Sequence, residues 1–217
     1  MSTIEHAVIA AAGMGTRMGR GRPKCLEVIR GRAIIDHQLA LLEAVPDVRI
    51  VVGFQELSVM EHVRRIRSDV IFVRNANFRS TTTLQSFWLG VQGLVDPCLI
   101  MDADIVFEPA SFQAFITACH DGRSRIGITP ARTDDAVFVR TAGADDNLTV
   151  VGFSREKSAE YEWANLALLR PEQFADQPRY VYERLDELLP LQASVIDAYE
   201  VDTPNDLARV EQFLSRW

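Results

Sequence analysis

The chain has 217 residues, of which 47% are hydrophobic and 24% charged, and its net charge at pH 7 is −7. These values fit one globular domain, and the negative charge argues against a nucleic acid or an anionic membrane as partner, because both require a basic surface. No apolar run approaches the roughly 20 residues that span a bilayer. Three cysteines and four histidines form neither a disulfide framework nor a metal-binding spacing. We therefore predict a single domain over residues 1–217 in the reducing cytoplasm, with the oligomeric state left open.

Short apolar runs alternate with amphipathic patterns through the first part of the chain. The runs predict buried strands, and the helical spacing of apolar residues between them predicts helices. The predicted strands are His6–Ala12, Val48–Val52, Val70–Val73, Cys98–Met101 and Arg125–Thr129. The predicted helices are Ala33–Val45, Leu57–Ile66, Leu84–Leu94 and Ala110–Cys119.

The remainder of the chain is less regular. Its predicted strands are Ala136–Arg140, Leu148–Phe153, Trp163–Leu169 and Val195–Val201, and its predicted helices are Pro171–Phe174, Val181–Leu189 and one that starts at Pro204. Proline in a first helical turn is a sound start signal. The alternation along the whole chain predicts an α/β fold with a Rossmann-like, mostly parallel sheet and helices on both faces.

A loop rich in glycine and arginine follows the first predicted strand. Residues 13–32 include six basic residues and one acid, at the place where open α/β sheets bind ligands. Gly13 and Gly15 would let backbone N–H groups approach a phosphate chain, while Arg17 and Lys24 would neutralise its charge. The spacing fits neither a Rossmann fingerprint nor a Walker loop. The loop therefore predicts a site for a small polyanion.

Two aspartates end a predicted buried strand. Asp102 and Asp104 follow Cys98–Met101, and Asp202 follows another predicted strand far along the chain. Carboxylates at the carboxyl end of a strand face the ligand crevice of an α/β sheet, and their hard oxygen atoms suit Mg²⁺. An Asp pair is also common in ordinary turns. The additional carboxylate of Asp202 favours a metal site.

The run from Ala11 to Leu39, AAGMGTRMGRGRPKCLEVIRGRAIIDHQL, resembles the opening signature of the GT-A-like NTP transferases. The glycine-arginine loop, the proline-lysine pair and the following helix stand in the same order and at similar distances. The resemblance implies a GT-A-like nucleotidyltransferase whose loop holds the NTP phosphates, with Lys24 on the α-phosphate and Asp104 and Asp202 as ligands of Mg²⁺. Arg17 and Lys24 are the expected catalytic residues. The expected nucleotide-binding residues are Ala11, Ala12, Gly13, Gly15, Thr16, Arg17, Lys24, Thr82, Thr83 and Asp102.

The segment Asn75–Gly90 resembles a stretch of the cytidylyltransferases for phosphocholine and aminoethylphosphonate. Those relatives carry asparagines where this chain has Thr82 and Thr83. The hydroxyl and amide groups of the segment would either read a base edge and a ribose or cap the next helix, and capping is expected of Ser80 or Thr81. The resemblance favours CTP as nucleotide and a small phosphorylated or phosphonate acceptor.

The acceptor site is expected in the second half of the chain. Glu156, Lys157, Glu162 and Asn165 resemble family positions that hold the acceptor. Aromatic residues are interleaved with carboxylates in the same half, and aromatic faces attract ammonium groups. These aromatic residues are Tyr161, Trp163, Tyr180 and Tyr182. The expected acceptor-binding residues are Glu156, Lys157, Glu162, Trp163, Asn165 and Tyr180.

Together these features predict Mg²⁺-dependent transfer of CMP from CTP to a phosphate or phosphonate monoester, with release of pyrophosphate. Such a monoester is already largely a dianion at neutral pH, so the reaction needs no general base. Two alternatives share this chemistry: a sugar-1-phosphate nucleotidyltransferase and a methylerythritol-phosphate-type cytidylyltransferase. Two others do not: a non-catalytic NTP-binding regulatory domain, and a glycosyltransferase, which would not need the glycine-arginine loop.

Overall fold

A computed structural model describes residues 4–15, 18–19, 21–132, 136–144 and 147–215. In chain order, its strands are β1 (His6–Ala11), β2 (Val28–Ile29), β3 (Arg32–Ala33), β4 (Asp47–Val52), β5 (Ile71–Arg74), β6 (Cys98–Asp102), β7 (Ile105–Phe107), β8 (Arg125–Pro130), β9 (Phe138–Ala142), β10 (Thr149–Ser154), β11 (Tyr161–Leu169), β12 (Leu191–Val195) and β13 (Ala198–Glu200). Its α-helices are α1 (Ile34–Leu41), α2 (Glu56–Arg64), α3 (Thr83–Gly90), α4 (Pro109–Ala118), α5 (Val181–Asp186) and α6 (Pro204–Leu214). None of the helices in these ranges has the length and apolar character needed to cross a membrane.

Nine strands form one sheet in the order β5-β4-β1-β6-β11-β8-β12-β10-β9. The strands β5, β4, β1 and β6 pair in parallel, as predicted from the alternation of apolar runs and helices. Beyond β6 the sheet is mixed, because β11 pairs antiparallel with both β6 and β8, and β9 and β10, separated by six residues of sequence, also pair antiparallel. Only antiparallel neighbours can be joined by so short a connection.

Helices cover both faces of this sheet, which confirms the predicted α/β class. Successive side chains of a strand point to opposite faces. Ala7 and Ile9 of β1 belong to a hydrophobic cluster with residues of α1, α2 and α4, whereas Val8 belongs to a cluster with residues of α3 and α5. A third cluster joins Val210 of α6 to Ile29 of β2, and it places the C-terminal helix beside the segment that follows the glycine loop.

The predicted single strand Val195–Val201 is wrong. The chain leaves the main sheet after β12, and β13 instead pairs antiparallel with β7. The backbone N–H of Glu108 donates to the carbonyl of Asp197 at 2.8 Å in the connection between β12 and β13. This departure from the sheet carries the residues after β13 towards the end of β6. The predicted helix Pro171–Phe174 is a single 3₁₀ turn, Pro171–Gln173.

Candidate active site

A cleft of about 240 Å³ opens at the carboxyl ends of β1 and β6. The two strands are neighbours in register, with Ala10 opposite Asp102, so the glycine loop after β1 and the aspartates after β6 meet at one edge of the sheet. The predicted nucleotide-binding residues on this cleft are Ala11, Ala12, Gly13, Gly15, Lys24, Thr82, Thr83 and Asp102. Thr16 and Arg17 lie outside the described residues. Phe78, Thr81 and Ser86 also line the cleft and were not in the predicted set.

Most of the described basic residues in the range 13–32 form hydrogen bonds within the fold and do not line the cleft. The guanidinium of Arg22 makes two hydrogen bonds to Glu27, at 2.8 and 2.7 Å, and the Glu27 side chain is only 1% exposed. Arg30 donates to the carbonyl of Leu214, and Arg32 to that of Asp36. Lys24 is the described basic residue of this segment that lines the cleft. The position of Lys24 is set by the 3₁₀ turn Lys24–Leu26, and the ion pair between Arg22 and Glu27 spans this turn and stabilises it.

The ammonium group of Lys24 lies between the two predicted metal ligands, Asp104 and Asp202. Its Nζ is 2.6 Å from Oδ2 of Asp104 and 2.5 Å from Oδ1 of Asp202. Burial by itself would lower the pKa of Lys24, but the charges of Asp104 and Asp202 more than offset burial and raise the pKa above its ordinary value. Lys24 is therefore cationic at any physiological pH.

A third carboxylate, Glu200, completes a cluster that sequence reasoning missed. Asp104, Glu200 and Asp202 each offer an oxygen atom, and these three atoms lie within 4.8 Å of one another. The position of Glu200 two residues before Asp202 was the available signal, because such residues share a face of an extended chain. Burial and the charge of Asp104 raise the pKa of Glu200 above its ordinary value.

The donor set fits a hard divalent cation such as Mg²⁺. The Oδ1 atoms of Asp102 and Asp104 are both buried and have no hydrogen-bond partner among the residues that the structure describes. Buried carboxylate oxygens without a donor are costly unless a cation compensates them. Burial and the neighbouring Asp104 charge raise the pKa of Asp102 well above its ordinary value. Oxygen ligands of this kind are the ones that Mg²⁺ prefers.

The first turn of α6 holds Asp202 in place. The Asp206 carboxylate accepts hydrogen bonds from the backbone N–H of Asp202 at 3.2 Å and from the backbone N–H and hydroxyl of Thr203, both at 2.8 Å. Pro204 begins the helix, as predicted. A carboxylate in a first turn also meets the positive end of the helix dipole. Asp206 is thus a structural support for the metal-ligand candidate.

A second cleft, of about 160 Å³, adjoins the first. The two share Thr83 and Asp102 as lining residues, and Glu200 and Asp202 line the second. The predicted acceptor residues on it are Glu162, Trp163, Asn165 and Tyr180. Glu156 and Lys157 are exposed and line neither cleft; their backbone N–H groups donate to the Ser154 hydroxyl. Their acceptor role stays a prediction.

A bulge in β11 shapes the wall of this second cleft. The register of β11 against β8 shifts between Trp163 and Ala167, and Asn165 has a left-handed backbone with φ of +46°. The indole N–H of Trp163 donates to the carbonyl of Leu166 at 3.3 Å, within the bulge. Bulges re-aim side chains at the edges of sites. Trp163 and Asn165 both line the cleft at this bulge.

Two tyrosines also line this cleft. The rings of Tyr180 and Tyr182 are stacked, with centroids 5.7 Å apart and an angle of 14° between them. The guanidinium of Arg155, which the sequence did not single out, lies 5.9 Å from the centroid of Tyr180. Tyr161 does not line this cleft. Three of the four aromatic residues singled out in the sequence, Trp163, Tyr180 and Tyr182, therefore lie on this cleft.

The expected cap at the start of α3 is corrected. Thr82, not Ser80 or Thr81, is the N-cap: its hydroxyl accepts from the backbone N–H of Gln85 at 3.5 Å, and the Gln85 side chain accepts from the backbone N–H of Thr82 at 3.2 Å. The hydroxyls of Ser80 and Thr81 instead donate to the carbonyl of Asn77. The Thr82 hydroxyl is thus engaged by the helix.

Two adjoining clefts that meet at a carboxylate cluster and a half-buried lysine, on this α/β sheet, are the arrangement of an NTP transferase. Residues 7–179 match the family described as the MobA-like NTP transferase domain, and the chain belongs to that family. The predicted membership of the NTP transferases and the predicted nucleotidyltransferase class are confirmed.

Known proteins similar to this chain include cytidylyltransferases. The chain is 30% identical over 197 residues to CMP-5'-(3-aminopropyl)phosphonate synthase from Streptomyces rubellomurinus, over 85% of this chain and 31% of that protein. It is 31% identical over 130 residues to 2-C-methyl-D-erythritol 4-phosphate cytidylyltransferase from Parasynechococcus marenigrum, over 58% of this chain and 57% of that protein. The chain thus spans less than two thirds of either relative.

A solved structure of CTP:phosphocholine cytidylyltransferase from Streptococcus pneumoniae superposes with a TM-score of 0.78. The match covers 96% of this chain and 98% of that one, at 20% sequence identity. At this identity the likeness establishes the fold, and it confirms the predicted GT-A-like class.

Proposed function

We propose that this protein transfers CMP from CTP to a small phosphate or phosphonate monoester, with Mg²⁺ as cofactor and pyrophosphate as second product. The observation that carries the proposal is the junction of the two clefts. Thr83 and Asp102 line both, and the Lys24, Asp104 and Asp202 charges lie beside that shared wall. A nucleotide in the first cleft and an acceptor in the second would meet there.

The charges at this junction suit attack on an α-phosphate. The acceptor dianion attacks the α-phosphorus in line with the departing pyrophosphate, and it needs no general base. Lys24 holds a fixed positive charge where negative charge shifts during the attack. Asp104, Asp202 and Glu200 would hold Mg²⁺, which when bound neutralises phosphate charge and orients the triphosphate. Gly13 and Gly15 leave room for the phosphate chain.

The choice of CTP is supported by the relatives. The two sequence relatives described above are named for cytidylyl chemistry, and the superposed structure is that of a CTP-dependent enzyme. The second cleft supports an acceptor that carries an amine: Trp163, Tyr180 and Tyr182 offer aromatic faces, and Glu162 and Glu200 offer carboxylates. An amino group is also part of the product named for the phosphonate relative.

The proposal includes one domain in a reducing, cytoplasmic location. Nine strands belong to one sheet, which supports a single nucleotidyltransferase domain over residues 1–217. Cys25, Cys98 and Cys119 are free and buried. Burial, with the Asp104 charge nearby, raises the pKa of the Cys25 thiol to about 12, so Cys25 acts as a packing residue beside Lys24.

A substrate panel tests the proposed function. CTP, UTP, dTTP and ATP are each combined with phosphocholine, 2-aminoethylphosphonate, glucose 1-phosphate and methylerythritol phosphate, and pyrophosphate release is measured with saturating Mg²⁺. We expect the highest kcat/KM with CTP and an amine-bearing acceptor. The variant Asp104→Asn should lose nearly all turnover, whereas Asp96→Asn, exposed before the other end of β6, should retain it. The expectation of an amine-bearing acceptor is wrong if the phosphate of an uncharged sugar gives the highest kcat/KM, and the metal assignment is wrong if Asp104→Asn stays active.

A further inference from the structure

A buried glutamine lies beneath the turn that carries Asp104. Gln38, on α1, has no exposed surface. Its side-chain Nε2 donates to the backbone carbonyl of Asp102 at 2.7 Å and to that of Ile105 at 2.8 Å. Both hydrogens of the amide nitrogen are therefore used on one turn, 64 and 67 residues away in the chain.

The two carbonyls stand on either side of Ala103 and Asp104. β6 ends at Asp102 and β7 begins at Ile105, so Gln38 joins the last residue of one strand to the first residue of the next. The turn is also held on the other side, where the backbone N–H of Ala103 donates to the carbonyl of Ala10 at 3.2 Å. A buried double donor of this kind fixes a turn more tightly than apolar packing, because hydrogen bonds are directional and a lost partner leaves a carbonyl unpaired.

We propose that Gln38 is a positioning residue of the metal site. It does not reach the carboxylates; it acts through the backbone of residues 102–105 and so sets where the Asp104 side chain stands relative to Asp202 and Lys24. The inference rests on the proposed function in one respect, the assignment of Asp104 as a metal ligand. Groups that orient metal ligands from outside the first layer typically change metal affinity when they are removed.

The variants are chosen to separate positioning from folding. Gln38→Met keeps a side chain of similar length and removes both donors. Gln38→Glu keeps the shape and turns carboxylate oxygens towards two carbonyls. Val59→Ala is the matched control, because Val59 is as completely buried as Gln38 but lies on α2, which packs against β4. Asp104→Asn reports on the metal site itself.

The experiment is a titration of the full chain with Mn²⁺, followed by electron paramagnetic resonance, in the presence of a non-hydrolysable CTP analogue. Thermal denaturation is measured on the same samples, and pyrophosphate release is measured on the same protein preparations with CTP and an acceptor in place of the analogue. We expect Gln38→Met to raise the Kd for Mn²⁺ about tenfold and to lower kcat with it. Val59→Ala should lower Tm and leave the Kd for Mn²⁺ unchanged. If Gln38→Met does not fold, Gln38→Glu is read by the same criteria.

The outcomes distinguish the two proposals. The positioning role is overturned if a folded Gln38 variant binds Mn²⁺ as tightly as the wild type does. It is also overturned if Val59→Ala loses as much Mn²⁺ affinity as the Gln38 variants. In both cases Asp104→Asn should still abolish Mn²⁺ binding, which leaves the metal site of the proposed function intact. If Asp104→Asn itself binds Mn²⁺ as the wild type does, the metal site of the proposed function is the part that fails. Loss of Mn²⁺ affinity in both Gln38 variants with Tm no lower than that of Val59→Ala supports the inference.

Discussion

At the scale of single residues, one ammonium group dominates the site. Lys24 contacts two carboxylates that are also the metal-ligand candidates, so it neutralises part of their charge when no cation is bound. A metal cation and the Lys24 ammonium group are both attracted to the carboxylates of Asp104 and Asp202, and they would therefore compete for them. The phosphates of a bound nucleotide would relieve the competition, because they would offer Lys24 a new anionic partner.

Replacing this lysine should affect turnover and metal binding in opposite directions. In Lys24→Met we expect kcat to fall about 100-fold, because a fixed charge at the α-phosphate is lost. Binding of Mg²⁺ without nucleotide should become tighter, since the carboxylates lose their competing cation. Steady-state pyrophosphate release and calorimetric Mg²⁺ titration measure the two effects. A variant with normal kcat and a raised KM for CTP would show that Lys24 only binds the nucleotide.

The two loop glycines should respond differently to a methyl group. Gly15 has φ of +56°, and an added Cβ would lie 3.2 Å from Cβ of Lys24, whereas a Cβ on Gly13 would meet no atom within 4 Å. We expect Gly15→Ala to destabilise the fold by about 1–2 kcal/mol and to displace Lys24. Gly13→Ala should leave stability unchanged and raise KM for CTP, because its methyl group would occupy the phosphate side of the cleft. Urea unfolding and steady-state kinetics decide this, and equal destabilisation by both would contradict it.

At the scale of elements, the start of α3 separates stability from catalysis. Thr82 caps the helix, whereas Thr83, the next residue, is exposed and lines both clefts. Thr82→Ala should lower the free energy of unfolding by about 1 kcal/mol. Thr83→Ala should leave it unchanged and lower kcat/KM. The two variants serve as each other's control in chemical denaturation and kinetics. A larger stability loss at Thr83 would mean that the cap is assigned to the wrong residue.

The short segment between β12 and α6 is the other decisive element. This segment leaves the main sheet, and its strand β13 pairs with β7. Its last residues are held by hydrogen bonds to the Asp206 carboxylate. Together these contacts bring Glu200 and Asp202 close to Asp104. The metal-ligand candidates thus come from two separate parts of the chain. Their geometry depends on packing of α6 against the segment after the glycine loop, where Val210 and Ile29 share a cluster.

At the scale of the whole molecule, bound ligands should stabilise the fold by mass action. Because the first cleft joins β1, β6 and the start of α3, a nucleotide in it holds distant parts of the chain together. CTP and Mg²⁺ together, at about 100 times Kd, should raise the free energy of unfolding by about 2.7 kcal/mol. Mg²⁺ alone should raise the free energy of unfolding far less, since Lys24 already neutralises part of the charge of Asp104 and Asp202.

Thermal denaturation with and without each ligand measures this effect. Asp104→Asn should lose most of the joint stabilisation, and Asp96→Asn should keep it. A full shift of Tm with Mg²⁺ alone would show that the cation binds without help from the nucleotide, and the competition with Lys24 would then be wrong.

Local patterns in the sequence determined the class of this protein. Apolar runs and helical spacing depend on residues close together in the chain, so the first half of the sheet, the helices on both faces and the glycine loop follow from them. The Asp102 to Asp104 pair at the end of β6 was visible for the same reason. The run Ala11–Leu39 already resembles the NTP transferases, and the family match extends over residues 7–179.

Contacts across long stretches of chain decided the rest. Lys24 and Asp202 are 178 positions apart, and no local pattern reveals that their side chains meet. The same holds for Glu200 in the carboxylate cluster and for Gln38 beneath the metal turn. The Arg22 pair with Glu27 is closer in sequence, but only the buried setting of Glu27 shows that Arg22 braces the backbone and does not face the cleft. Periodicity predicts which face of an element is buried; tertiary packing decides which charges then lie within reach of one another.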